Sequence, residues 1–257
     1  MKQLSEQQII DNWNKLIKLI DDTFVDTDDN ERHTKLREMY DYFEDRMSVA
    51  PASGKAAYHN AMVGGYVEHV LHVTDCAIQI KKLWESNGAM INFTDEELIF
   101  AAMHHDLGKV GDLNQDYYIP QDSEWHRKNR GEIFKHNPNL QYMTVTDRAI
   151  FLLNHFGVQM SQWEYIGLKL TDGMYEEANK SYYMSYNPDW GLKSNIAYIL
   201  HQADMMATHI EFDEWQREDE EVSNNFKKAV TTEEKPQPST KLSEKSQDLF
   251  DELFGDK

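Results

Sequence analysis

The sequence predicts an all-α fold, a helical bundle followed by a disordered acidic C-terminal tail. Two observations carry this. Apolar residues recur at spacings of three and four over most of the first 215 positions, the period of a helix with one buried face, and only Asp116 to Ile119 resembles a strand. Residues 216–246 combine two prolines and many charges with few large apolar groups, so burial there cannot offset the entropy of ordering.

The elements follow in order. Ile9, Ile10, Trp13, Leu16, Ile17 and Ile20 mark a first helix, and Leu36, Met39, Tyr40, Phe43 and Met47 a second. Pro51 and Gly54 interrupt before a long third helix, expected from about 60 to 86. Thr94-Asp95-Glu96-Glu97 is a capping box, in which hydroxyl and carboxylate satisfy free backbone amides, and the helix it opens is expected to stop at Gly108. Further helices are expected near 124–136, near 146–156 with Gly157 as the stop, near 161–171, and from about 194 to 215. Residues 1–215 therefore read as one domain, 216–246 as a linker, and 247–257 as a short amphipathic peptide.

The chain of 257 residues is 40% hydrophobic and 12% aromatic, enough for a packed core, which excludes a wholly disordered protein. Its formal charge of −19 disfavours broad binding to nucleic acid or anionic membranes. Of that charge, −7 falls in the last 47 positions, so the excess is concentrated towards the tail and a locally positive cleft is compatible with it. No run approaches the ~18 apolar residues of a membrane span, and the N-terminus lacks a signal-like apolar stretch, so a cytoplasmic protein with no membrane partner is expected. Cys76 is the only cysteine, which excludes an intrachain disulfide and a thiolate metal cage.

Eleven histidines beside one cysteine turn attention to a His/Asp metal site. In Ala101-Ala102-Met103-His104-His105-Asp106-Leu107-Gly108-Lys109 a His-Asp pair ends an apolar helix, with Gly and Lys directly after. Upstream stands Tyr58-His59-Asn60, then Gly64-Gly65-Tyr66-Val67-Glu68-His69. Downstream, Asp204 lies in an otherwise apolar helix. A buried carboxylate must be paired or metal-bound, because an isolated one costs too much.

The order His, His-Asp, Asp resembles the HD-domain superfamily of metal-dependent phosphohydrolases. Ala50-Pro51-Ala52, His59, Gly64-Gly65, Glu68-His69, His105-Asp106-Leu107-Gly108-Lys109 and Ala203-Asp204 are most similar to the HD domain of the bacterial 3′-to-5′ exoribonuclease family, over about residues 34 to 210. The resemblance implies an HD-domain helical bundle in which His69, His105, Asp106 and Asp204 hold one metal ion. Two-metal members add two histidines, and here Gly131 to His136 and Leu152 to His155 look like their places. His126 competes with His136 for the first of them, and His155 is followed by Phe156 where relatives often have a second histidine.

The expected cofactor is one or two divalent ions of Mn, Fe, Co, Ni or Zn, which suit imidazole and carboxylate ligands. The expected reaction is hydrolysis of a phosphoester or phosphoanhydride bond in a small nucleotide or short oligonucleotide. Asp106 and Lys109 are its catalytic candidates, Lys109 by neutralising a phosphate oxygen in the transition state. His59, Lys109, His126, Arg127, Lys128 and Arg130 are candidates for substrate binding, the last three forming the densest basic cluster in an acidic chain. That cluster also reads as a solvated helix face. His72, His104, His201 and His209 read as satisfied structural histidines.

Two other functional classes are compatible with these motifs. Some HD-domain relatives hold two irons, use dioxygen and also carry His-Asp-Leu-Gly-Lys, and a non-catalytic module would use the site for nucleotide sensing or recruit partners through its tail. In the tail, Gln247-Asp248-Leu249-Phe250-Asp251-Glu252-Leu253-Phe254 restores an apolar stripe on a tether and looks like the sliding-clamp-binding peptides of replication proteins, so a clamp is an expected partner of residues 247–254, the other reading being a segment that folds back onto its own domain.

Overall fold

The computed structural model describes residues 3–232 except 57 and 186, with backbone only at 188 and 219–232. The chain divides into two compact units, Met1–Glu218 and Asp219–Lys257. The first unit is built from α1 (Glu6–Thr23), α2 (Arg32–Met47), α3 (Gly65–Ser86), α4 (Asp95–His104), β1 (Tyr118–Pro120), α5 (Glu124–Arg130), β2 (Phe134–His136), α6 (Val145–His155), α7 (Gln162–Lys169), α8 (Lys180–Tyr183) and the start of α9 (Ile196–Thr232). The all-α class expected from the apolar spacing is the observed one. No described helix is long and apolar enough to cross a membrane.

The bundle is organised on α3, which packs against α1 and α4, while α4 packs against α7. Its core is the set of apolar stripes legible in the sequence: Leu16 and Ile20 of α1, Leu36, Tyr40 and Phe43 of α2, Val70, Val73 and Ala77 of α3, and Leu98, Ala101 and Ala102 of α4 are buried. Ile10, expected on the first stripe, is instead 45% exposed. The capping box at α4 forms as expected: the Glu97 amide donates to Thr94 Oγ1 at 3.1 Å, and the Thr94 amide donates to Glu97 Oε2 at 2.8 Å.

Four boundaries differ from the sequence expectation, each for a local reason. α3 starts at Gly65 rather than near 60, because Asn60 takes a left-handed conformation (φ 42°) and its carbonyl accepts from the Ala52 amide at 3.1 Å. α4 ends at His104, four residues before Gly108, and a 3₁₀ turn, Leu107–Val110, follows. α5 is short: Gly131 (φ 62°) adopts the left-handed form that terminates a helix, and 134–136 form β2, antiparallel to β1 with Tyr118 opposite His136. Residues 216–232, expected to be linker, are helical. They contain no Gly or Pro and many good helix formers, the first proline being Pro236. The remainder of the expected linker, 233–246, and the peptide at 247–257 lie outside the described residues.

His104 is a core group, as its position beside the His-Asp pair suggested. Its Nδ1–H donates to the Phe100 carbonyl at 2.7 Å, and Nε2 lies 3.2 Å from the Tyr40 hydroxyl. Burial pushes its pKa down to about 3 from an ordinary 6.5. The folded state thus binds this proton less readily than the unfolded chain, so the contribution is intact above pH 6.5 and is lost as pH falls towards 3. Denaturant unfolding at pH 7, 5.5 and 4.5 is expected to show falling stability, with a shallower fall in His104→Gln.

Candidate metal centre

Three helices deliver four side chains to one place. His69 lies on the buried stripe of α3 between Tyr66 and Val70, so its ring enters the bundle interior. His105 caps the C-terminal end of α4, and Asp106 (φ −106°, ψ 9°) has already left the helix, which turns the two side chains towards the same space. Asp204 projects from α9. The ligand-capable atoms form two overlapping groups, His69 with His105 and Asp204, and His59 with His69 and Asp106. Because both contain His69, they make one centre.

The geometry fits a metal ion better than a set of hydrogen bonds. His69 Nε2 lies 3.3 Å from Asp204 Oδ1 and 3.6 Å from Asp106 Oδ2. His105 Nε2 lies 3.4 Å from Asp106 Oδ2 and 3.7 Å from Asp204 Oδ1. Ligand atoms ~2.1 Å from a tetrahedral ion stand about 3.4 Å from one another, the edge length of the polyhedron. Both Nε2 atoms are buried and have no hydrogen-bond partner among the described residues. A buried unpaired polar atom is costly, and a cation on the imidazole lone pair removes that cost.

Each imidazole is oriented from behind. His105 Nδ1–H donates to the Ala102 carbonyl at 2.7 Å, one of the acceptors left free where α4 ends. His69 Nδ1–H donates to the buried Glu211 carboxylate, 3.0 Å from Oε2, and His72 Nδ1 approaches the same carboxylate at 2.8 Å. With Nδ1 donating, Nε2 faces inward, where a metal ion would take the place of the proton that the metal-free imidazole carries, and this is the arrangement in which metal-ligating histidines are normally held.

Charge is balanced around the centre. Burial lowers the His69 pKa, but the charges of Glu211 and Asp204 outweigh it and hold it up at about 10. Burial likewise opposes His105, and Asp106 raises it overall. Asp106 is held well below the carboxylate range against burial by Lys109, His105 and His69. Lys109 Nζ donates to Asp106 Oδ2 at 2.6 Å and is held above the ordinary lysine value by that carboxylate. The His59 ring lies 4.5 Å from the His69 ring, and burial together with the Lys109 and His69 charges pushes its pKa down to about 3, so it is neutral.

His59, His105, Asp106, Lys109 and Asp204 border a cavity of about 250 Å³, which Val145, Thr146, Thr171, Asp172 and Thr208 also line. The wall comes this close because Gly108 has no side chain: a Cβ there would lie 2.0 Å from the Val145 carbonyl oxygen, so only glycine lets the start of α6 close over the turn after Asp106.

Of the sequence candidates, the structure brings together His59, His69, His105, Asp106, Lys109 and Asp204. The others stand elsewhere. His155 is exposed at the far end of α6, nine residues and thus roughly 14 Å along the helix from Thr146 in the cavity wall. His136 is exposed on β2, its ring 4.7 Å from that of Tyr117 and 5.3 Å from that of Tyr118. His126 Nδ1 is 2.8 Å from Ser123 Oγ in the cap of its own helix. Arg127 donates to the Gln121 carbonyl, Lys128 pairs with Glu124, and Arg130 lies over the Trp125 ring, so the basic cluster is the solvated face of α5 and lines no part of this cavity.

Sequence reasoning missed Glu211 and Asp172. Glu211 had a signal: it lies seven residues after Asp204, two turns along the same face of α9. Asp172 had none, since Thr171-Asp172-Gly173 reads only as a turn, although in the structure desolvation and then the charges of Asp106 and Asp204 raise its pKa. No protein-family model, no curated protein and no solved structure matches the chain.

Proposed function

We propose that the chain is a metal-dependent phosphohydrolase of the HD type, which hydrolyses a phosphoester or phosphoanhydride bond of a nucleotide or short oligonucleotide. The observation that carries this reading is the pair of buried, unpartnered imidazole Nε2 atoms facing two carboxylates, with a partly buried ammonium alongside. His69, His105, Asp106 and Asp204 would hold one divalent ion, of Mn, Fe, Co, Ni or Zn. Such an ion, when bound, activates water at neutral pH and stabilises charge on a phosphoryl oxygen.

The chain's own groups supply the rest. Lys109, kept protonated by Asp106, binds a non-bridging phosphate oxygen and gains strength as charge builds there. Neutral His59 presents its ring to the same cavity without adding charge. Thr171 Oγ1, buried and without a partner among the described residues, is available to a substrate oxygen. A small cavity and an acidic exterior favour a small substrate over a long polynucleotide. The two-iron oxygenase reading needs a second ligand set, and His136 and His155 stand away from this centre.

The test is a screen of the chelator-stripped full-length protein, reloaded with Mn²⁺, against nucleoside mono-, di- and triphosphates, cyclic nucleotides and short RNA. At least one class is expected to be hydrolysed on the order of 100-fold faster than by the metal-free protein. Nucleotide binding without turnover in every class would refute the hydrolase and favour a sensor.

A further inference from the structure

A second cavity, of about 350 Å³, adjoins the metal centre and plays no part in the chemistry above. Lys109 lines both, so one side chain borders the two spaces. The second space differs in kind. Tyr117, Tyr118 and Phe134 of the β1–β2 region form one side, and Val49, Val63 and Val110 contribute aliphatic surface. The Tyr117 and Tyr118 rings meet edge to face at 4.8 Å.

This aromatic side is held in place. The Ile133 and Phe134 amides donate to the Gly54 carbonyl at 2.9 and 3.0 Å, and a Cβ on Gly54 would lie 2.8 Å from the Phe134 carbonyl oxygen and 3.2 Å from the Tyr118 ring. The polar corner is Asp45, Arg46 and Asp116, where Arg46 Nε pairs with Asp116 at 2.7 Å and Nη1 donates to the Asp112 and Gln115 carbonyls. Arg46 is paired with Asp116, and Lys109 Nζ lies on Asp106 in the metal centre, so this cavity offers a further anion no cation of its own. A flat, neutral, aromatic group suits these walls, since rings stack on tyrosine and phenylalanine faces in a water-excluding space.

We infer that this cavity receives the nucleobase of the substrate, stacked on the Tyr117–Tyr118 side, while the phosphate lies at Lys109. The inference rests on the phosphohydrolase reading for the place of the phosphate. It extends that reading by assigning the place where the nucleotide's base is held, so that a nucleoside phosphate is preferred over a simple sugar phosphate.

The base site is tested first by binding, which needs no phosphate chemistry. Full-length protein is titrated calorimetrically with adenosine, guanosine, cytidine and uridine, with ribose as the control, in the wild type and in Val63→Trp and Val49→Trp. Both valines are more than 40% exposed at the rim, so a larger side chain fills the cavity without entering the core. Saturable binding of at least one nucleoside and none of ribose is expected. Each Trp variant is expected to weaken the nucleoside by tenfold or more at unchanged Tm, and to lower the kcat/KM ratio for nucleotide over ribose 5-phosphate by a similar factor. Absence of saturable nucleoside binding at millimolar concentration, or equal binding by both Trp variants, overturns the inference. Nucleoside binding that both variants weaken, with no turnover of any phosphoester, removes the hydrolase and leaves the base site standing.

Discussion

Asp106→Ala is expected to lose nearly all bound metal and to reduce hydrolysis by at least about 10³-fold while remaining folded. Asp106 Oδ2 stands at the junction of the site, 3.4 Å from His105 Nε2, 3.6 Å from His69 Nε2 and 2.6 Å from Lys109 Nζ. Its removal takes away one ligand, and it leaves three basic groups facing one another with Asp204 as the remaining carboxylate among the four proposed ligands. Both effects oppose a cation. Asp106 is buried and pairs with Lys109, so the change also costs stability, and circular dichroism of the variant checks that it remains folded. Elemental analysis, circular dichroism and turnover on one preparation check this, and full activity in a folded, metal-free variant refutes the assignment.

Glu211→Ala has the next largest expected effect, although Glu211 would touch neither metal nor substrate. Its carboxylate accepts from His69 and His72. Loss of the partner that fixes a ligating imidazole typically costs 10- to 100-fold in metal affinity, and that range is expected here. In the metal-free protein the same change breaks a buried charged pair, which typically costs ~3–5 kcal/mol. The pH dependence has two limbs. His69 has its pKa raised from 6.5 to about 10, so its share is fully present below pH 6.5 and is lost as pH rises through 10. Glu211 is lowered from 4.5 to about 2, mainly by His69 acting against burial, so its share is present above pH 4.5 and is lost as pH falls through 2. Glu211→Gln keeps an acceptor for His69 Nδ1–H and is expected to recover most of the metal affinity. A merely structural role would give no such recovery at equal Tm.

Of the four proposed ligands, His105-Asp106 and Asp204 were legible because they break an apolar helical pattern, and His69 joined them through the family resemblance. His105-Asp106 ends the run from Leu98, and Asp204 sits among Leu200, Ala203 and Ala207. A polar group in such a place must be satisfied, and the sequence shows that it needs a partner without showing which. Glu211 as that partner for His69 depends on how α9 crosses α3, a long-range contact that no local pattern encodes. His136 and His155 are not brought to this centre, for the converse reason. Their spacing matched a two-metal pattern, but Gly131 diverts the chain into a hairpin, and α6 points its N-terminal end at the cavity while His155 is at the other. The helix over 216–232 was hidden by charge: a solvated composition without Gly or Pro suits a surface helix as well as a coil.

The most direct test of the metal centre is a calorimetric titration of Mn²⁺ into chelator-stripped full-length protein at pH 8, with His105→Ala in parallel. The arrangement of His69, His105, Asp106 and Asp204 predicts saturation at about one ion per chain in the wild type, and binding at least tenfold weaker in the variant. No saturable binding in the wild type, or identical isotherms for the two proteins, would contradict it.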